Sequence, residues 1–241
     1  MNFKIFFLVI LIILSISCSF INEDDGYSTG YYIFSILRVG DDSIKVIVDS
    51  TLSIKDSLNF KNNFVFDAIV KIDGESLSVE SLDVDSFGYK YFYSLDKTVL
   101  PEKSYEIEVK VKDKIFTARS VTPKKINFSS YSDSSVLKID SSLVLEWNSS
   151  GIGFYMLQIN QKNEYGSFYF FEIGVQNDTF FSLSKLSYLF PDSGTYDFYI
   201  ISYDSSYFNY LTDQNYSSFN DGYGLFGSVS VGSLKEVKLL K

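Results

Sequence analysis

Histidine is missing altogether from this 241-residue chain, and cysteine occurs once, at Cys18. Without His, the chain by itself can build neither a His-ligated metal site nor a Ser-His-acid or Cys-His triad. A single Cys permits no intramolecular disulfide, so stability has to come from packing. Cations are also scarce: 21 Lys and Arg against 30 Asp and Glu leave a net charge of −9, with no basic stripe. That balance disfavours nucleic acid and anionic membrane surfaces, both of which need clustered Lys and Arg. No GxSxG, phosphate loop or dinucleotide fingerprint occurs. The expectation is a protein that is not an enzyme and takes no cofactor and no metal.

Helical periodicity is sparse too. SLSKLSYLF, around residues 182 to 190, is the one stretch that suggests a helical turn or two. What the chain does have is rings: 23 Phe, 19 Tyr and one Trp, within a hydrophobic fraction of 46% that suffices for a buried core. Aromatic and β-branched residues suit pleated, half-buried surfaces. Alternation follows accordingly. SIKVIVD puts Ile44, Val46 and Val48 on one face, and FVFDAIVKI does so with Phe64, Phe66, Ala68, Val70 and Ile72. SYEIEVKVK sends Tyr105, Ile107, Val109 and Val111 one way and Glu106, Glu108, Lys110 and Lys112 the other. Each is a strand with one buried face. Asp73-Gly74 is a two-residue hairpin signal. The pattern pauses at VTPKKINF, then resumes through SLVLEW, FYMLQIN, SFYFFEIGV and GTYDFYIISY, with Trp147 continuing the Leu143, Leu145 face.

The first residues set an address. Lys4 precedes ten apolar residues, Ile5 to Leu14, which span about 15 Å as a helix, half a bilayer's hydrocarbon. This is the layout of a secretory signal peptide. Ser15 and Ser17 fit ordinary cleavage before Cys18. LSISC also resembles the bacterial lipobox, with Ser15 where that pattern usually has Leu and Leu14 one place further back. In the lipobox reading Cys18 becomes the first mature residue and carries lipid, which gives the lone thiol a purpose. Asn22-Glu23-Asp24-Asp25 resembles the acidic export signal of surface lipoproteins in Bacteroidetes-type bacteria, and reads equally as a solvated acidic linker.

LPEKSYEIEV at residues 100–109 resembles the tyrosine corner of fibronectin type III and immunoglobulin-like domains, with Tyr105 opening the strand. LFPDSGTYDFYIISYD repeats it with Tyr196. The tail, from Tyr207 to Leu239, resembles the end of a family of Bacteroidetes-type surface lipoproteins, with Gly222-Tyr223-Gly224-Leu225-Phe226-Gly227 as the matching signature. Three glycines around two aromatics suggest backbone packed closely on ring faces or positive φ, in a bulged final strand closing the second sandwich or a Tyr/Phe-lined ligand groove. These resemblances imply an all-β chain of two tandem β-sandwich domains after a signal peptide. The expected divisions are 1–17 signal peptide, 18–29 acidic tether, 30–122 immunoglobulin-like sandwich, and 123–241 fibronectin type III-like sandwich with a long aromatic C-terminal loop. They also imply lipid anchorage at a bacterial outer membrane, facing outward, with a secreted or periplasmic protein as the alternative.

Two candidate sites remain. Asp83-Val84-Asp85-Ser86-Phe87-Gly88 faintly matches a calcium loop but lacks the later bidentate Glu, so an acidic hairpin loop is expected. Tyr207, Tyr210, Tyr216 and Tyr223 stand among Ser, Asn and Asp, a mixture that suits contact with a protein or glycan partner at the cell surface. The same rings suit a segment folded back on its own sandwich. The expected function is a lipid-anchored binding or accessory protein; glycan binding and, behind it, carboxylate-dependent hydrolysis are the alternatives.

Overall fold

Period-two alternation becomes strand over most of its length. The computed structural model describes residues 30–51, 63–83, 89–140, 143–163, 166–176, 178–184, 190 and 193–240. Cys18, the signal and tether, residues 84–88 of the acidic loop and residues 185–189 of SLSKLSYLF lie outside them. The chain is all-β. The first half forms β1 (Tyr31–Arg38), β2 (Ser43–Ser50), β3 (Ile69–Ile72), β4 (Glu75–Ser76), β5 (Ser78–Asp83), β6 (Tyr89–Asp96), β7 (Ser104–Val111) and β8 (Lys114–Val121). The second half forms β9 (Val136–Lys138), β10 (Val144–Glu146), β11 (Phe154–Asn163), β12 (Gly166–Gln176), β13 (Phe180–Ser182) and β14 (Gly194–Tyr203). A helix, α1 (Ser205–Thr212), then precedes an 18-residue final strand, β15 (Tyr223–Leu240).

A nine-stranded sheet runs through both halves in the order β12-β11-β14-β15-β1-β2-β6-β5, with β9 also on β15. A four-stranded sheet, β4-β3-β7-β8, packs on the first part of it, and the pair β10-β13 on the second. Two separate cores fill the spaces between. Ile33, Val46, Val70, Ile107, Val109 and Phe226 belong to the first; Leu145, Trp147, Leu157, Ile159, Phe198 and Val237 belong to the second. Trp147 is 3% exposed, in line with its place in the alternation.

Local chemistry explains the joints. Asp73 and Gly74 both take positive φ, 51° and 82°, the backbone a two-residue turn with the strand twist requires. The Tyr105 hydroxyl accepts the Leu100 N–H at 2.8 Å and faces the Thr98 carbonyl at 3.5 Å, so the corner's backbone groups are paired. Val99 rather than Leu100 enters the core beneath it. The same five-residue spacing recurs where Tyr155 accepts the Ser150 N–H at 3.1 Å.

Three expectations are corrected. Phe66 does not share the buried face of its segment: regular pairing begins at Ile69, residues 66–67 turn, and the Phe66 ring is 52% exposed, edge-on to Phe64. The aromatic C-terminal segment is not one long loop, because Ser205–Thr212 is helical and Tyr223 onward is strand. The final strand does not close the second sandwich alone. Tyr223 to Val229 pair in parallel with β1, and Val229 to Leu239 pair antiparallel with β14. β15 is therefore the shared central strand of both cores. It does carry a bulge: Asp197 faces both Lys235 and Glu236, Glu236 has φ 59°, and its N–H donates to the Asp197 carboxylate at 2.8 Å.

Candidate functional site

Helix α1 begins because Asp204, at φ −74° and ψ 171°, turns its carboxylate back to accept the Tyr207 N–H at 2.8 Å. This is an N-cap. The other carboxylate oxygen accepts the Ser120 hydroxyl at 2.7 Å, and the Asp204 N–H donates to the Ser228 carbonyl at 2.9 Å. One residue, 3% exposed, thus joins the end of β8, the start of α1 and the middle of β15. Burial pushes the Asp204 carboxyl above the ordinary range, against the hydrogen bonds from Ser120, Tyr207 and Ser228 that favour the ionised form. Around it, further buried hydroxyls fill the junction between the cores. Ser202 donates to Ser150 at 2.6 Å, Ser230 accepts the Ile126 N–H at 3.0 Å, and Ser228 donates to the Val121 carbonyl at 3.2 Å.

The glycines of the tail signature let α1 and β15 approach their neighbours. A Cβ on Gly224 would overlap the Ile33 carbonyl oxygen of β1, and Gly224 has φ 128°. A Cβ on Gly222 would stand 2.8 Å from the Phe116 ring, and one on Gly227 2.9 Å from Tyr207. Backbone therefore packs on ring faces at one glycine, on a strand at the next and on a helix at the third.

Packed down in this way, α1 lies across the outer face of the nine-stranded sheet. Phe208 stacks on Phe154 of β11 at 3.9 Å between ring centres and 11° between planes. Tyr207 meets Tyr203 edge-on at 5.0 Å. On the other side the Tyr210 hydroxyl lies 2.7 Å from that of Tyr32, and its ring meets Phe34 edge-on at 6.4 Å. Burial, and then the Tyr210 contact, push the Tyr32 phenol well above its usual value. Between α1 and β12 a cleft of about 340 Å³ opens, lined by Phe154, Met156, Gly174, Phe208, Leu211 and Thr212. That volume is at the lower end of small-ligand sites.

The structure distributes the four sequence-selected tyrosines. Tyr207 and Tyr210 are half-buried on α1, Tyr216 is half-buried in the loop after it, and Tyr223 opens β15 with its ring 68% exposed. Register brings Tyr223 beside Tyr32, so Tyr210 and Tyr223 share one neighbourhood through Tyr32. Tyr207 meets Tyr203 of β14. Phe219 is buried in the first core. Sequence reasoning missed Tyr32, Phe34 and Asp49, whose strand alternation makes them unremarkable, and it missed α1. The signal for α1 was present in Asp204 followed by apolar residues at helical spacing, Tyr207, Phe208 and Leu211.

No family model matches the chain, and no curated protein matches it. Among solved structures it is similar to the titin Ig tandem domains A164-A165, at 8% identity over 88% of this chain and 95% of that one, with a TM-score of 0.20. It is likewise similar to the I-band fragment I67-I69 from titin, at 12% identity over 88% of this chain and 65% of that one, with a TM-score of 0.22. The fold assignment rests on the sheets and cores described above.

Proposed function

We propose that this chain is a non-catalytic binding or accessory lipoprotein, held at an outer-membrane surface by lipid on Cys18 and displaying the aromatic face around α1. The observation that carries the binding role is the outer sheet face itself. There Tyr223 stands largely exposed beside Tyr32 and Tyr210, while α1 walls a cleft over Gly174. A large ring left in water on the face of a well-packed sheet suits contact with a partner. The anchor draws its support from the basic start, the apolar run and LSISC.

Metabolic labelling with a palmitate analogue tests the anchor. Label is expected on the parent and not on Cys18→Ala; label that survives the substitution overturns it. Protease treatment of intact cells tests outward display, with cleavage expected without lysis. Affinity capture of the intact lipoprotein from its native membrane tests the binding role, with capture expected to weaken in Tyr223→Ala.

Glycan recognition is a second reading, favoured by the exposed Tyr223 ring next to hydroxyl-bearing Tyr32 and Tyr210. A folded Tyr223→Ala variant that binds a surface polysaccharide as well as the parent would count against it.

A further inference from the structure

The register of β15, β1 and β2 places Tyr223, Tyr32 and Asp49 side by side on the outer face. Tyr32 and Phe34, successive on that face of β1, hold their rings within 12° of parallel at 6.3 Å, and Tyr210 reaches over both from α1. Four rings thus gather beside one carboxylate. Asp49 is half-buried, and its carboxylate makes no hydrogen bond or ion pair among the described residues. A carboxylate drawn partly out of water without a counter-charge is unfavourable, and burial pushes this one above its ordinary range.

Among the described residues no base pairs with Asp49. Between Lys185 and Lys235 the sequence carries acids but no Lys or Arg, and that stretch furnishes α1, the loop after it and Tyr223. On β2 the cation of this face is Lys45, four residues from Asp49, with its ammonium 4.9 Å from the centre of the Phe92 ring. Arg38, at the far end of β1, pairs with Asp41. Lys45 on Phe92 shows that this sheet face accommodates a lysine over a ring. At Asp49 the rings and the negative charge are in place, and no cation among the described residues pairs with it.

We propose that Tyr223, Tyr32, Tyr210 and Asp49 form a receptor for a cationic side chain, the ammonium or guanidinium of a Lys or Arg presented by a partner protein. The inference rests on reading the chain as a binding protein and names what one part of that surface takes. Tyrosine faces attract the cation through their quadrupoles, and the partly desolvated carboxylate supplies the full charge. The apolar stem of Lys or Arg lies along Phe34 and Ile47, the adjoining outward residues of β1 and β2.

A labelled hexalysine peptide, titrated onto the mature protein at low ionic strength, tests this. Asp49→Asn is expected to weaken binding about tenfold and Tyr223→Ala about fivefold. Glu146→Gln, which removes an exposed acid of the second sandwich, is expected to change it less than about twofold. Among the described residues Asp49 makes no side-chain hydrogen bond, so its Asn variant keeps the fold; Tyr223→Ala, at a largely exposed ring, gives an independent reading. Equal weakening by Glu146→Gln and Asp49→Asn means attraction to net charge alone and overturns the site, as does unchanged binding in Asp49→Asn. A protein that captures a surface partner through Tyr223 yet ignores hexalysine keeps its binding role and loses the cation site. One whose capture is untouched by Tyr223→Ala loses both.

Discussion

Two aspartates respond to pH in opposite senses. Burial raises the Asp204 carboxyl, so the unfolded chain ionises first, near an ordinary value of about 3.9. Its ionisation therefore lowers stability as pH climbs from that value through the folded one, and the penalty is complete above it. Asp204→Asn keeps a good N-cap without the charge. It is expected to match or exceed the parent in urea midpoint at neutral pH, with the difference vanishing in acid. Asp204→Ala loses the cap and leaves the Ser120 hydroxyl without its acceptor, an expected cost of about 2–3 kcal/mol in the same titration. At Asp73 burial also opposes ionisation, but the Glu106 N–H and the ammonium groups of Lys103 and Lys97 outweigh it and depress the folded value. Its stabilisation is present above the unfolded value and is lost as pH falls through the folded one. Asp73→Asn, which tolerates the same positive φ, is expected to flatten the acid limb of the stability profile. The Asp73-Gly74 turn was legible in the sequence because the dipeptide's conformational preference is local. Asp204 was not, because its burial depends on Ser120 and Ser228, 84 and 24 positions away along the chain.

At the scale of elements, α1 and β15 are held by backbone approaches that glycine permits. Gly224→Ala is expected to cost more than about 3 kcal/mol, since its Cβ would meet the Ile33 carbonyl and its φ of 128° disfavours any side chain. Gly174 provides the contrast: nothing lies within 4 Å of a Cβ built there. Gly174→Ala is expected to leave the urea midpoint within about 0.5 kcal/mol of the parent while narrowing the cleft beside α1. Opposite outcomes at these two positions, read by equilibrium unfolding, check the packing of the tail. Glycine in the tail signature suggested close packing or positive φ from sequence. Which glycine does which, with Gly222 on Phe116, Gly224 on β1 and Gly227 on α1, follows only from the pairing of β15.

At the scale of the whole molecule, one strand serves two cores. The fragment 30–122 carries β1 to β8 but lacks Phe219, Phe226 and β15, the strand that pairs in parallel with β1. Expressed alone, it is expected to show no cooperative unfolding and poorly dispersed amide resonances. The chain from residue 30 to its end is expected to unfold in one transition. A folded, cooperative 30–122 fragment would show that β15 is dispensable to the first core. The buried hydroxyls of Ser228 and Ser120 point the same way, since they bond across the junction to the Val121 carbonyl and the Asp204 carboxylate.

The sequence by itself determined the strands, the Asp73-Gly74 hairpin, the Tyr105 corner and the burial of Trp147. Each depends on period, turn chemistry or a spacing of five residues, all interactions between near neighbours. It also carried the reading of Cys18 as a point of anchorage, which rests on the linear order of the first 25 residues. Only the tertiary structure decided that β15 bridges both cores, that Asp204 pins α1 to the junction, and that Tyr223, Tyr32 and Asp49 meet on one face. Those contacts join residues up to about 190 positions apart (Tyr32 with Tyr223), where alternation reveals the face but not the partner.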